Sequence, residues 1–176
     1  MNPDSRAQMV ALLPRLRRFC CGLTGSEVEG DELVQMTCER ALSRLHQWQN
    51  GTRLDSWMYR IAQTIWLNRI RQDKARKTVA DSDLVERATE NRASSDPESG
   101  AELREVLEHL SQLPPEQREA VLLVCVEGYS YKEAAEILDI RIGTVMSRLS
   151  RARGRLHGLV FGEDGADEGL RRGVVS

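Results

Sequence analysis

The chain has 176 residues, of which 40% are hydrophobic and only 5% aromatic, which favours helices packed through aliphatic side chains over a β-sandwich. Its 25 basic and 27 acidic residues give a formal net charge of −2, which excludes a uniformly basic nucleic-acid coat but not local basic surfaces. It contains no apolar run of about 18 residues and no secretory signal pattern, so we expect a cytoplasmic protein without direct membrane insertion.

Charge and composition divide the chain. Residues 1–72 carry 10 basic and 7 acidic side chains, whereas residues 141–155 carry five arginines and no acid. Between them, the stretch 77–100 is acidic and too poor in large apolar residues to offset the entropy of ordering. We therefore predict an all-α fold of two small helical domains joined by a flexible acidic linker. The expected domains are 1–76 and 101–160, followed by a disordered tail at 161–176.

Helical spacing of apolar residues predicts three helices in the first domain. The first has apolar residues at positions 10, 12, 13, 16 and 19 and is expected to break at Gly22 and Gly25. The second should begin near Gly30, because acidic residues that follow it suit the positive helix end, and should stop before position 50. The third should begin near Asp55, with apolar residues at 57, 61, 65 and 70.

The second domain has sharper signals. Apolar residues at 103, 106, 107, 110 and 113 predict an amphipathic helix that Pro114 ends, and Pro115 suits the first turn of the next helix. That helix should reach Cys125 or Val126 and stop at Gly128. A short helix at 131–138, a tight corner and a longer helix at 143–156 are expected to follow.

Residues 131–156, YKEAAEILDIRIGTVMSRLSRARGRL, have the pattern of a helix-turn-helix. In such a unit the second helix enters the major groove, where its first half contacts base edges and later arginines contact phosphates. The alternative is a solvated, arginine-rich surface helix in an ordinary bundle. The predicted DNA-contacting residues are Thr144, Ser147, Arg148, Arg151 and Arg155.

No catalytic or metal-binding pattern is present. The cysteines at 20, 21, 38 and 125 and the histidines at 46, 109 and 157 match no common zinc spacing, so we expect reduced thiols and no metal. A redox-sensing or metal-sensing role for the cysteines stays open as the alternative. The chain also lacks a phosphate-binding loop and a nucleophile motif, and we expect no cofactor and no enzyme activity.

Three segments resemble the extracytoplasmic-function (group 4) bacterial sigma-70 factors. Residues 113–156, which begin LPPEQREAVLL, resemble region 4 of that family. The string GDELVQMTCERAL at 30–42 resembles region 2.2, and WQNGTRLDSWMYRIAQTIWLNRIR at 48–71 resembles regions 2.3 and 2.4. The matches stand in the family's order and cover nearly everything but the linker and the tail.

The resemblance implies an alternative sigma factor that binds core RNA polymerase and directs initiation by recognising a −35 and a −10 promoter element. It further implies that region 4 binds the polymerase flap, and that an anti-sigma factor holds the protein by occluding its polymerase contacts. The acidic linker would then run towards the RNA channel of the polymerase. For region 2.2 the resemblance implies contacts with the clamp helices of the large subunit from Asp31, Leu33, Val34, Gln35, Glu39 and Arg40.

Leu33 and Val34 have a second interpretation as core residues, and Met36 stands where the family often has Asp. For the −10 element the resemblance implies a loop that captures a flipped base and a following helix that lies on the promoter. Trp57 and Trp66 are expected in the core, whereas Trp48 is expected at the surface. The −10 residues implied are Gln49, Asn50, Gly51, Thr52 and Arg53 in the loop, and Tyr59, Arg60, Gln63, Asn68 and Arg71 in the helix.

Five residues near the promoter surfaces depart from the family pattern. Arg141 stands where Ser or Pro commonly begins the recognition helix. Gln63 and Thr64 stand where many relatives have Arg and Asn, and Met146 stands where Lys or Arg is usual. Asp139 replaces a frequent Gly at the corner, and Asp is among the few residues that tolerate a left-handed backbone there.

Two rivals remain. A sigma-like decoy would titrate an anti-sigma factor and lose the basic DNA-facing residues; the arginines at 148–155 and the lack of a receiver domain in the sequence oppose it. A conventional helix-turn-helix regulator would need a ligand pocket or a dimer interface in residues 1–72, where no such pattern is evident. Both rivals predict no stimulation of core polymerase.

Overall fold

The computed structural model describes residues 3–48, 52–80 and 100–161. It divides into an N-terminal unit, Met1–Ser99, and a C-terminal unit, Gly100–Ser176. Every regular element in the described residues is helical and none is a strand, which confirms the all-α prediction. The N-terminal unit contains α1 Pro3–Thr24, α2 Glu27–Ser43, a 3₁₀ turn Leu45–Gln47 and α3 Leu54–Ala80. The C-terminal unit contains α4 Ala101–Ser111, α5 Pro115–Val121, a π-helical turn Leu122–Val126, α6 Tyr131–Leu138 and α7 Ile142–Phe161.

The three helices of the N-terminal unit pack against one another around a hydrophobic core. Leu16, Phe19 and Tyr59 are completely buried, and the rings of Phe19 and Tyr59 lie 4.6 Å apart. Val10 was predicted on the apolar face of α1 but is 60% exposed, because the buried side of that helix runs through positions 9, 12, 16 and 19.

Three helix boundaries in the N-terminal unit differ from the predictions. Helix α1 continues through Gly22 and ends at Thr24, where Gly25 takes a left-handed φ of 74°. Helix α2 begins one turn earlier than expected, because the Ser26 hydroxyl caps it by accepting a hydrogen bond from the Glu29 N–H. Helix α3 extends to Ala80, four residues into the predicted linker, and residues 81–99 lie outside the described part of the chain.

Gly30 lies inside α2 because the backbones of α1 and α2 touch there. A Cβ at this position would lie 2.6 Å from the Sγ atom of Cys21 and 2.7 Å from its Cα atom. Since a backbone atom cannot rotate away, a methyl group must push the two helices apart.

We expect Gly30→Ala to lower the free energy of unfolding of the N-terminal unit by about 1–3 kcal/mol, despite the better helix propensity of alanine. Urea unfolding followed by tryptophan fluorescence measures this unit selectively, because the three tryptophans lie at 48, 57 and 66. Gly154→Ala is the matched control, monitored by circular dichroism: a Cβ there meets nothing within 4 Å, so α7 should be unchanged or slightly stabilised. An unaltered urea midpoint for Gly30→Ala would contradict this packing.

In the C-terminal unit α6 and α7 pack against each other across a tight corner, and α7 also packs on α5. Ser130 and Glu133 form a reciprocal capping box at the start of α6. Asp139 ends the helix at φ 53° and ψ 49°, so the prediction of a left-handed Asp at this corner is confirmed. Helix α7 then runs five residues beyond the predicted Leu156.

The first turns of α4 differ from the prediction of a buried face. Leu107, Leu110 and Leu113 are buried, but Leu103 is 44% exposed and Val106 is 53% exposed. Only the second half of the apolar stripe of α4 is therefore covered.

Candidate nucleic-acid interface

The orientation of α7 is fixed by three small or aliphatic side chains. Val145, Leu149 and Ala152 are buried, and α7 packs through this face on α5 and α6. Because successive residues of a helix are rotated by about 100°, the opposite face consists of positions 143, 146, 147, 150, 151 and 154. That face points away from the unit.

Several predicted DNA-contacting residues lie on or beside this outward face. Arg151 and Arg155 are exposed, while Thr144 and Ser147 are half-buried. The Ser147 hydroxyl donates to the Thr144 carbonyl at 3.0 Å, a local bond that leaves its lone pairs available. No acidic residue occurs between 140 and 161, so the electrostatic field along this face is positive and suits phosphates.

The sequence analysis missed Ser150, which is exposed next to Arg151 on the outward face. Met146 is also 53% exposed there and offers an apolar contact in place of a charge. The helical period of the buried residues would have identified Ser150.

Arg148 differs from the other predicted contacts. Its side chain is only 20% exposed, and its Nη1 atom lies 3.8 Å from the Oε2 atom of Glu119, a carboxylate of α5 that is 1% exposed. This arginine therefore faces α5 rather than the outward side of α7.

Helix α2 presents a second surface, of mixed character. Asp31, Gln35 and Glu39 are exposed, as predicted for a partner-binding face, whereas Leu33 is buried in the core and its predicted partner contact is wrong. The side chains of Val34 and Arg40 are half-buried.

The same face carries two apolar residues that sequence analysis missed. Val28 is 47% exposed and Leu42 is 49% exposed. Together with Asp31, Gln35 and Glu39 they recur at intervals of three, four, four and three residues, the spacing of a seam that packs against another helix. We call these five residues the α2 seam.

An arginine of α1 anchors one edge of the α2 seam. The Nε atom of Arg17 donates to Asp31 at 2.6 Å, and its Nη2 atom donates to Asp31 at 3.1 Å and to buried Glu27 at 3.4 Å. The hydrogen bonds to Asp31 are the main reason that the pKa of Arg17 rises above its ordinary value. Asp31 is thus held in one position at the surface.

Helix α3 exposes a third row of polar residues. Arg60, Asn68 and Arg71 lie on one side of the helix with Thr64, and Thr52 and Arg53 are exposed just before it. Gln49, Asn50 and Gly51 of the predicted base-capturing loop lie outside the described residues.

Two predicted promoter contacts in α3 are wrong because they face the core. Tyr59 is completely buried on Phe19, and Gln63 is 8% exposed. Trp57, Trp66 and Trp48 are half-buried, so the first two are less enclosed than expected and the third less exposed.

The cysteines form no disulfide in the described residues. Burial raises the pKa of Cys21 to about 11 and also raises the pKa values of Cys20 and Cys38. These thiols therefore stay protonated and unreactive at neutral pH. The described residues contain no group of three or more His, Cys, Asp or Glu suited to a metal ion, and none of their helices is long and apolar enough to cross a membrane.

Comparison with known proteins found a matching family model for each of the two units. The family model "Sigma-70, region 4" matches residues 103–156, and "Sigma2 domain of PhyR" matches residues 9–63. The ECF RNA polymerase sigma factor EcfG of Rhodopseudomonas palustris is 35% identical over 96% of this chain and 91% of its own length. The phyllosphere-induced regulator PhyR of Methylorubrum extorquens is 31% identical over 84% of this chain but only 48% of its own length.

Solved structures agree with this placement. The sigma factor RpoE of Bartonella quintana, in complex with the anti-sigma factor NepR, is similar over 89% of this chain and 96% of its own, with 29% identity and a TM-score of 0.73. Since the similarity to EcfG spans nearly the full length of both proteins, the chain belongs to the extracytoplasmic-function (ECF) family of RNA polymerase sigma factors.

Proposed function

We propose that this protein is an alternative sigma factor that binds core RNA polymerase and directs initiation at promoters with a −35 and a −10 element. The observation that carries the proposal is the outward face of α7. It presents Ser147, Ser150 and Arg151 on a helix-turn-helix whose second helix is free of acidic residues. Side chains of these types contact base edges, and Arg155 lies where phosphates would pass.

The N-terminal unit would supply the remaining contacts. The row Arg60, Thr64, Asn68 and Arg71 on α3 suits the −10 element, because exposed arginines and amides contact both phosphates and unpaired bases. The loop at 49–53 would hold the flipped base. Flipping a base costs a few kcal/mol, which the contacts between the base and the loop must offset. Region 4 would also bind the polymerase flap, and the acidic linker would run towards the RNA channel.

The α2 seam fits the clamp helices of the large polymerase subunit. Its apolar residues lie at the two ends with polar and acidic residues between them, and this partly polar character suits an interface that must form and dissociate.

We expect Val28→Asp to weaken binding to core polymerase by on the order of tenfold or more, because it buries a charge in the seam. Val10→Asp is the matched control: Val10 is 60% exposed on α1, outside the seam, and should change the affinity less than about twofold. Competition with a labelled sigma factor for purified core polymerase measures both affinities. Equal effects of the two substitutions on the affinity would show that the α2 seam does not contact core polymerase.

An anti-sigma factor is the proposed regulator. The related RpoE forms a complex with the anti-sigma factor NepR, and a protein of that kind is the partner we propose for this chain. It would occlude the polymerase-binding surfaces until released.

A decoy function is the second candidate, and one observation favours it. The model that matches residues 9–63 describes the sigma-like domain of PhyR, and a PhyR is described as an anti-anti-sigma factor in complex with NepR. A decoy would bind the anti-sigma factor without stimulating transcription.

Run-off transcription from a promoter library with purified core polymerase separates the two. A sigma factor starts RNA at defined sites, and added anti-sigma factor suppresses this. A chain that binds the anti-sigma factor but gives no transcripts with active core polymerase is a decoy.

A further inference from the structure

Arg148 and Glu119 form a charged link between α5 and α7. Glu119 stands in a run of buried residues, Gln117–Val121, of α5, and α5 packs on α7. A buried carboxylate is costly unless a cation compensates it. Arg148 supplies one such cation from the recognition helix.

The position of Arg148 on α7 also indicates that this arginine faces α5 and not the DNA. It lies between Val145, Leu149 and Ala152, which are all buried, and it is rotated by about 100° or more from the outward positions 147 and 150. An arginine that reads a base must leave this flank, and leaving it would take a cation away from the buried Glu119 carboxylate. The base-reading role predicted for Arg148 from its charge therefore conflicts with the geometry.

We propose that Arg148 is a positioning residue, which fixes the rotation and tilt of α7 on α5 through Glu119 so that Ser147, Ser150 and Arg151 address the promoter. The inference rests on the proposed DNA-binding function of α7 and deepens it. Promoter discrimination then depends on a residue pair whose acidic member lies on a different helix, out of reach of DNA.

The experiment compares four full-length variants in complex with core polymerase: Arg148→Met, Glu119→Gln, the double variant and Arg153→Met. Arg153 is an exposed arginine of the same helix, so its replacement controls for the loss of one positive charge. Two quantities are measured: the ratio of affinities for a selected promoter and for a scrambled duplex, and the melting temperature of the free protein.

Each single replacement should lower the promoter-to-scrambled ratio by on the order of tenfold, since each removes one member of an ion pair between α5 and α7 whose carboxylate is buried. It should also lower the melting temperature. The double variant removes both charges and should recover the ratio to within about twofold of the unmodified protein. Arg153→Met should leave the melting temperature unchanged.

Two results would overturn the proposal. One is a double variant that discriminates as poorly as Arg148→Met. The other is an Arg148→Met variant whose loss is confined to one base pair of the −35 element, because that pattern marks a direct base contact. If the unmodified protein selects no promoter at all, the proposed function fails instead, while the melting temperatures still test the ion pair.

Discussion

Replacing Arg118 by Met should destabilise the C-terminal unit by about 3–5 kcal/mol and leave the N-terminal unit intact. Arg118 is 6% exposed, and its Nη2 atom donates hydrogen bonds to the Ser111 carbonyl at 2.6 Å and to the Leu113 carbonyl at 3.0 Å. These carbonyls belong to the end of α4 and the turn after it, where the helix offers no donor of its own. Methionine fills most of the space but donates nothing.

The electrostatic setting of Arg118 adds to this cost. Burial lowers the pKa of Arg118, and the neighbouring charge of Glu119 opposes that shift. Removing the guanidinium takes a cation away from a buried carboxylate as well as two hydrogen bonds from carbonyls. Removing one partner from a buried carboxylate or carbonyl costs more free energy than the intact interaction contributed to stability.

The two units can be followed separately. Tryptophan fluorescence reports only on the N-terminal unit, since positions 48, 57 and 66 hold all three tryptophans, whereas circular dichroism follows all the helices. Arg118→Met should split the circular dichroism transition into an early and a late step and leave the fluorescence transition in place. Arg104→Met, at an exposed site on α4, should do neither. A circular dichroism curve for Arg118→Met that matches the unmodified protein would show that the carbonyl contacts carry little stability.

Replacing Arg151 by Ala should weaken promoter binding by about 1–3 kcal/mol, or about 5-fold to 150-fold. Arg151 is exposed on the outward face of α7, three residues after Arg148 and next to Ser150. A guanidinium there can donate two parallel hydrogen bonds to the N7 and O6 atoms of a guanine. The loss should therefore be largest on promoters that match the −35 element and small on scrambled DNA.

Arg155 is the residue with which the effect of Arg151 on promoter binding is compared. It is exposed one helical turn further along α7, where the helix is expected to leave the groove and meet phosphates. Arg155→Ala should weaken binding about equally on all sequences and reduce the salt dependence of the affinity by about one ion. Filter binding of the holoenzyme to matched and scrambled duplexes at two salt concentrations distinguishes the two behaviours. A uniform loss for Arg151→Ala would assign it to phosphate contact.

The local elements of the C-terminal unit could be predicted because their signals lie in neighbouring residues. The capping box of Ser130 and Glu133, the left-handed Asp139 and the small buried residues of α7 each act within one or two turns. The start of α2 carries a local signal of the same kind, Ser26 three residues before Glu29, but it was overlooked because Gly30 was interpreted as a helix boundary. The glycine at position 30 is instead required by contact with Cys21, which lies nine residues earlier on another helix.

Charge and residue type predicted which helices carry the candidate site. They did not predict which way each side chain points. Tyr59 and Gln63 have polar groups that suit DNA, but packing against α1 turns Tyr59 inward, and Gln63 is buried with it. Arg148 was predicted to contact DNA because it adds to the positive charge of α7. Its side chain instead pairs with Glu119, which lies on α5. Val28 and Leu42 were overlooked because exposed apolar residues look like core residues until a structure shows that no neighbour covers them.

The central claim is that two helical units address two separate promoter elements from one polymerase. The most direct measurement is sequencing of the promoters that initiate transcription when the purified chain and core polymerase act on a randomised library. The account predicts two short preferred blocks at a fixed separation, with Arg151→Ala altering only the upstream block and Asn68→Ala altering only the downstream one. Defined initiation from a single block, or no initiation by an otherwise active core polymerase, would contradict it.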